Sequence, residues 1–144
     1  MYVKDVMQSV VTSAPLGTSV QDAFEIMRDG GFRHLPVLDE LGKVAGILSD
    51  RDLRSVGAIY KDEATGTEDF LVTEDTTVDK IMASKPFSVS PDDSVSFAID
   101  IIKEKRIGCL IVSKGDELMG ILSYLDLLVA LKKMLDKPAQ ESAA

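Results

Sequence analysis

The sequence is poor in the groups from which catalytic and metal sites are usually assembled. A single cysteine, Cys109, excludes an internal disulfide and any cysteine-based zinc cluster, so the fold rests on packing alone. It lies in the apolar run Cys109-Leu110-Ile111-Val112, where it reads as a small buried core residue. Histidine also occurs once, as His34; there is no glycine-rich phosphate loop and no His-Glu-x-x-His, and therefore no nucleophile and base to pair. The chain reads as non-catalytic, with no metal site and no obligatory cofactor. Basic residues are outnumbered, 16 to 24, for a net charge of −8, which argues against nonspecific attraction to nucleic acid or to an anionic membrane surface. Any bound anion must be met by a local basic cluster. No apolar run approaches the roughly 18 residues needed to span a bilayer. The start, Met1-Tyr2-Val3-Lys4-Asp5, lacks the charged-then-apolar layout of a signal peptide. The expectation is a soluble cytoplasmic protein with neither nucleic acid nor membrane as partner.

What is present is a core and a repeat. An apolar content of 45% over 144 residues suffices for one compact domain. The stretch Gly46-Ile47-Leu48-Ser49-Asp50-Arg51-Asp52-Leu53 recurs as Gly120-Ile121-Leu122-Ser123-Tyr124-Leu125-Asp126-Leu127, changed only at the positions of Asp50 and Arg51. Upstream, the pattern from Val20 to Met27 matches that from Val95 to Ile102, so the chain is an internal duplication.

In the first copy, Val3 to Met7 forms a lead-in and Val10-Val11-Thr12 a short extended segment ending before Pro15. Ser19 caps a helix whose apolar residues Val20, Ala23, Phe24 and Met27 fall on one face, and Asp29-Gly30-Gly31 ends it. Leu35–Leu38 and Val44–Leu48, joined by the polar turn 39–43, predict a hairpin, followed by a helix from Ser49 to about Gly57. The second copy repeats the plan: a lead-in from Val78 to Met82, Phe87-Ser88-Val89, a helix from Ser94, a hairpin from Cys109 to Leu122, and a Leu-rich helix from Ser123 ended by Lys137-Pro138.

The predicted organisation is one module over 1–137, with repeats at 1–60 and 77–137, an acidic linker at 61–76, and a frayed tail at 138–144. Acid pairs in the linker such as Asp62-Glu63 read as solvated charge, unpositioned for acid–base work. Each β-α-β-β-α repeat has one sheet face to cover. The expected fold class is therefore α+β, two repeats packed sheet to sheet with pseudo-twofold symmetry and clefts between them.

The sequence resembles the cystathionine β-synthase (CBS) domain pair, or Bateman module. In the first repeat the resemblance is carried by Val6-Met7, Pro15, Ser19-Val20, Arg33-His34-Leu35-Pro36-Val37 and Gly46 to Leu53. In the second it is carried by Ile81-Met82, Ser88-Val89-Ser90-Pro91, Ser94-Val95 and Gly120 to Leu127. The resemblance implies a free-standing regulatory module that binds AMP, ADP, ATP or S-adenosylmethionine in its clefts, pairs into homodimers and signals to a separate effector protein. The rival expectation is a structural dimerisation module with empty clefts.

The family uses the acid matching Asp52 and Asp126 to hold ribose, whose adjacent hydroxyls suit a carboxylate acceptor. Ser49 and Ser123 stand at helix starts that favour an anion, although Ser-x-x-Asp is equally a capping box requiring no ligand. Arg33 and His34 match the family's phosphate contacts, and Arg33 is the stronger because its guanidinium is always charged. The second repeat has Gly108-Cys109 there, with only Arg106 nearby, so the two clefts are expected to be unequal. By the same resemblance, Val11, Thr12, Phe87 and Ser88 edge the clefts and Ile47 and Ile121 lie below the adenine.

Overall fold

The computed structural model describes residues 1–9 and 12–138. The chain divides into two compact units, one of residues Thr12–Pro86 and one that joins Met1–Val11 to Phe87–Ala144. Both mix helix and strand, and the fold is α+β.

The chain starts with helix α1 (Val3–Val6) and then enters the unit of the first repeat. There β1 (Ala14–Pro15), α2 (Val20–Gly30), β2 (His34–Leu38), β3 (Val44–Ser49) and α3 (Asp50–Leu53) follow the predicted order. Strand β1 runs parallel to β2, with Ala14 opposite Val37, and β2 runs antiparallel to β3, with His34 opposite Ser49. The extended segment thus lies later than expected. Ala14 is buried and packs into the core, and Pro15 is tolerated because an edge strand can do without its N–H. Thr12 is exposed outside any strand, and Val10 and Val11 lie outside the described residues. Helix α2 begins at Ser19, whose Oγ accepts the Asp22 N–H at 3.1 Å, and buries Val20, Ala23, Phe24 and Met27. It ends where Gly31 adopts the left-handed conformation, φ 71°.

Helix α3 is a single turn, shorter than the sequence suggests. After it β4 (Gly57–Lys61) and β5 (Glu68–Val72) pair as an antiparallel hairpin across the stretch read as a linker. The cause is packing. Phe70 sits beneath the hairpin, 5% exposed, with its ring stacked on Phe24 at 5.2 Å between centroids. At Gly57 any Cβ would strike the Leu71 carbonyl and the Phe70 ring, so a glycine there permits the close crossing of the two strands.

A 3₁₀ turn (Val78–Lys80) leads to β6 (Ala83–Ser84), which adds to β3 and completes a four-stranded sheet, β1-β2-β3-β6. Three strands were expected from each repeat; the fourth here comes from the lead-in of the second. Its approach explains the glycine that opens the repeated stretch. A Cβ on Gly46 would lie 2.5 Å from Met82 Sδ and 2.7 Å from the Ala83 carbonyl.

The other unit holds β7 (Ser88–Val89), α4 (Val95–Lys105), β8 (Cys109–Lys114), β9 (Glu117–Ser123) and α5 (Tyr124–Leu135), with sheet order β7-β8-β9. Gln8 takes the place that β6 holds in the first sheet. It pairs with Ile121, and its carbonyl lies where a Cβ on Gly120 would be. Val3 joins Val89, Ala98, Ile102, Leu110, Val112 and Leu122 in a separate core. Helix α5 buries none of its residues.

Candidate functional site

Both copies of the repeated stretch end a strand on serine and begin a helix one residue later. In each, the serine Oγ accepts the aspartate N–H, and the aspartate Oδ2 accepts the serine N–H, at 2.9 Å for Ser49–Asp52 and 2.8 Å for Ser123–Asp126. Ser-x-x-Asp is therefore a capping box in both units. The box fixes each carboxylate through Oδ2, and Oδ1 takes no part in it. Asp126 Oδ1 accepts the side-chain N–H of Gln8 at 3.0 Å.

The strand register then gathers the remaining candidates at the same end of each sheet. In the first unit His34, half-buried, stands across from Ser49, and the Asp50 N–H donates to the Arg33 carbonyl at 3.2 Å. The Arg33 guanidinium meets Asp50 Oδ2 at 2.9 Å, and Arg54 reaches the same oxygen at 3.3 Å. Arg33 thus projects outward with a side chain 68% exposed, against an acid that is only 24% exposed. Thr12 lies two residues ahead of β1 at this end, because β1 and β2 run in parallel. Arg51 is exposed, and Ile47 lies further along β3, half-buried between Pro36 and Ala83.

In the second unit Cys109 stands across from Ser123. Phe87 and Ser88 are exposed at the start of the parallel strand, and the Phe87 carbonyl accepts the Ile111 N–H at 3.1 Å. Lys105 Nζ lies 5.3 Å from the Phe87 ring centre. Ile121 is buried between Ile111 and the bridging Gln8. Burial, helped by the nearby Asp126 charge, pushes the Cys109 thiol up to about 12, which keeps it protonated and unreactive.

The CBS domain family matches residues 3–58 and 78–133. The chain belongs to the CBS-domain family, as a pair of repeats. A CBS domain-containing protein of Dictyostelium discoideum is 28% identical over 145 residues, covering 99% of each chain. The chain spans only 27%, 15% and 32% of the length of three other curated relatives. Among solved structures, the CBS domain pair of protein MJ0100, in complex with 5′-methylthioadenosine and S-adenosylmethionine, has a TM-score of 0.77 at 21% identity and covers 93% of this chain and 98% of its own. CBSX2 in complex with AMP has a TM-score of 0.73 at 23% identity, covering 92% and 97%.

Within this CBS pair the two candidate sites carry different charge. In the first, Arg33 and Arg54 pair with Asp50, His34 stands across from Ser49 and Arg51 is exposed on α3, whereas Tyr124 and Leu125 replace the acid and the base beside Asp126. Sequence reasoning missed two participants. Asp50 was signalled only by its four-residue spacing to Arg54, and Gln8 by nothing local, since it reaches Asp126 from 118 positions away. Among the described residues no group of three His, Cys, Asp or Glu could hold a metal ion. No helix among them is long and apolar enough to cross a membrane.

Proposed function

We propose that this CBS pair is a regulatory module that binds an adenosine-containing ligand, with Asp52 as its principal ribose anchor. The observation that carries this reading is the state of the Asp52 carboxylate. Its Oδ2 is committed to the cap at 2.9 Å, which fixes Oδ1 as an acceptor at the end of the sheet where Arg33 leads into β2 and His34 begins it. A positioned acceptor beside exposed cations suits a sugar carrying phosphate. Asp126 is the second anchor and the weaker one, because a ligand there must displace Gln8. The ligand-bearing CBS pairs of similar fold, one with AMP and one with S-adenosylmethionine, support the ligand class. The module regulates an effector and works as a homodimer in the cytoplasm. The homodimer is supported by α5, whose exposed Leu128, Leu131 and Met134 call for a cover.

Calorimetric titration with AMP, ADP, ATP and S-adenosylmethionine tests the reading. At least one ligand is expected to bind, with Asp52→Ala costing more affinity than Asp126→Ala, and Arg33→Ala weakening ATP more than AMP. Because both aspartates cap helices, each variant's melting curve is recorded in parallel, and affinity is compared only where the variant is folded. Silence from all four ligands up to millimolar concentration would leave the module with a structural role alone.

A further inference from the structure

The duplication sets two versions of one position side by side. Ile47 and Ile121 are the same residue of the repeated stretch, and beyond its hairpin each pairs with one further residue, Ala83 for Ile47 and Gln8 for Ile121. The residues before these partners also correspond, since Met82 Sδ stands against Gly46 and Met7 Sδ against Gly120. Gln8 is therefore the counterpart of Ala83. The chemistry of the position differs between the units. Gln8 Nε2 donates to Asp126 Oδ1 at 3.0 Å, whereas the methyl group of Ala83 has no hydrogen to donate to Asp52.

The Gln8 backbone is pinned. Its N–H donates to the Ile121 carbonyl at 2.9 Å, its carbonyl accepts the Ile121 N–H at 3.1 Å, and that carbonyl fills the space a Cβ on Gly120 would need. Only side-chain torsions are left to break the contact with Asp126. The amide also has the chemistry of what it excludes. A carboxylate oxygen accepts from an amide N–H as it does from a sugar hydroxyl, and Gln8 takes the Asp126 oxygen that lies outside the cap.

We propose that Gln8 sets the affinity of the Asp126 site as a competitor built into the chain, and that Ala83 leaves the Asp52 site without one, so that Asp52 fills first. The inference rests on the ribose-anchor reading above and adds a controlling residue to it. While Gln8 holds Asp126 the site cannot bind, and apparent affinity falls with the competent fraction. One exposed hydrogen bond to a carboxylate sets that factor at about tenfold.

Titration of the full chain with AMP, ADP, ATP and S-adenosylmethionine, followed by the methyl NMR signals of Ile47 and Ile121, tests this. Each isoleucine lies two residues before a capping serine and reports its own site. Gln8→Ala is expected to tighten binding seen at Ile121 about tenfold and to leave Ile47 unchanged, and Ala83→Gln to weaken binding at Ile47 while sparing Ile121. Unchanged affinity at Ile121 in Gln8→Ala overturns the proposal, and so does an equal change at both sites. An Ile47 response untouched by Ala83→Gln overturns the equivalence of the two positions on which it stands. A second arm needs no ligand. Asp126→Asn is expected to move the Gln8 side-chain amide signals toward their free positions, and signals already there in the native chain would remove the contact itself. Binding at Ile47 with no response at Ile121, in the native chain and in Gln8→Ala alike, defeats this inference alone; silence at both isoleucines with all four ligands defeats the ligand reading with it.

Discussion

The aspartates of the repeated stretch do structural work before any ligand arrives. Ser49 and Ser123 close reciprocal caps with Asp52 and Asp126, each serine satisfying a helix N–H that would otherwise be orphaned. The titrating residue of consequence is Cys109. In the unfolded chain its thiol ionises near 9, and in the fold burial holds it neutral to about 12. Above pH 9 the unfolded state therefore binds fewer protons than the folded one, and stability falls as pH rises through that window, by about 1.4 kcal/mol per unit for this group. Below pH 9 the contribution is constant. Urea midpoints at pH 8 and pH 10.5 should converge in Cys109→Ala relative to the native chain; equal slopes in both would assign the loss to other groups. At this scale much was legible in the sequence. The capping boxes follow from Ser-x-x-Asp alone, and the burial of Cys109 from its apolar run. The Arg33–Asp50 pair was not, because it depends on the strand register that brings position 33 beside the end of β3.

At the scale of elements, the duplication offers a comparison within one chain. Both long helices that follow the outer strands end in the left-handed conformation, at Gly31 with φ 71° and at Arg106 with φ 53°. A Cβ at Gly31 meets nothing within 4 Å, so Gly31→Ala should cost about 1 kcal/mol through backbone conformation alone. The reverse change, Arg106→Gly, relieves that conformation while loosening the unfolded chain, and the net effect should lie between zero and about 1 kcal/mol of stabilisation. Chemical denaturation of both variants measures the pair; a destabilised Arg106→Gly would mean that the arginine side chain contributes more than its backbone costs. The helices, the two main hairpins and their order could be read from apolar periodicity and turn residues. The β4–β5 hairpin could not. Its acids gave it a solvated character, and the residue that orders it, Phe70, finds its partner Phe24 in a helix more than forty positions earlier. The short α3 is ended by a turn, residues 54–56, in which the Ser55 and Val56 N–H groups donate to the Asp52 and Leu53 carbonyls before β4 begins at Gly57.

For the molecule as a whole, ligand binding and stability are linked. A ligand that binds only the folded state at 100 times its dissociation constant adds about 2.7 kcal/mol to unfolding. A thermal shift of that size with an adenosyl ligand, lost in Asp52→Ala, would tie the repeat-one candidate site to the fold; a full shift in that variant would move the site elsewhere.

The bridge between Gln8 and Ile121 bears on the order in which the protein is made. The unit Thr12–Pro86 is one continuous segment and can complete its sheet as soon as it leaves the ribosome. The other unit needs the first residues of the chain and nearly the last, since Val3 and Gln8 must wait for β9 to emerge. Such distant closure is slow. The opening segment is therefore made before Thr12–Pro86 and used after it.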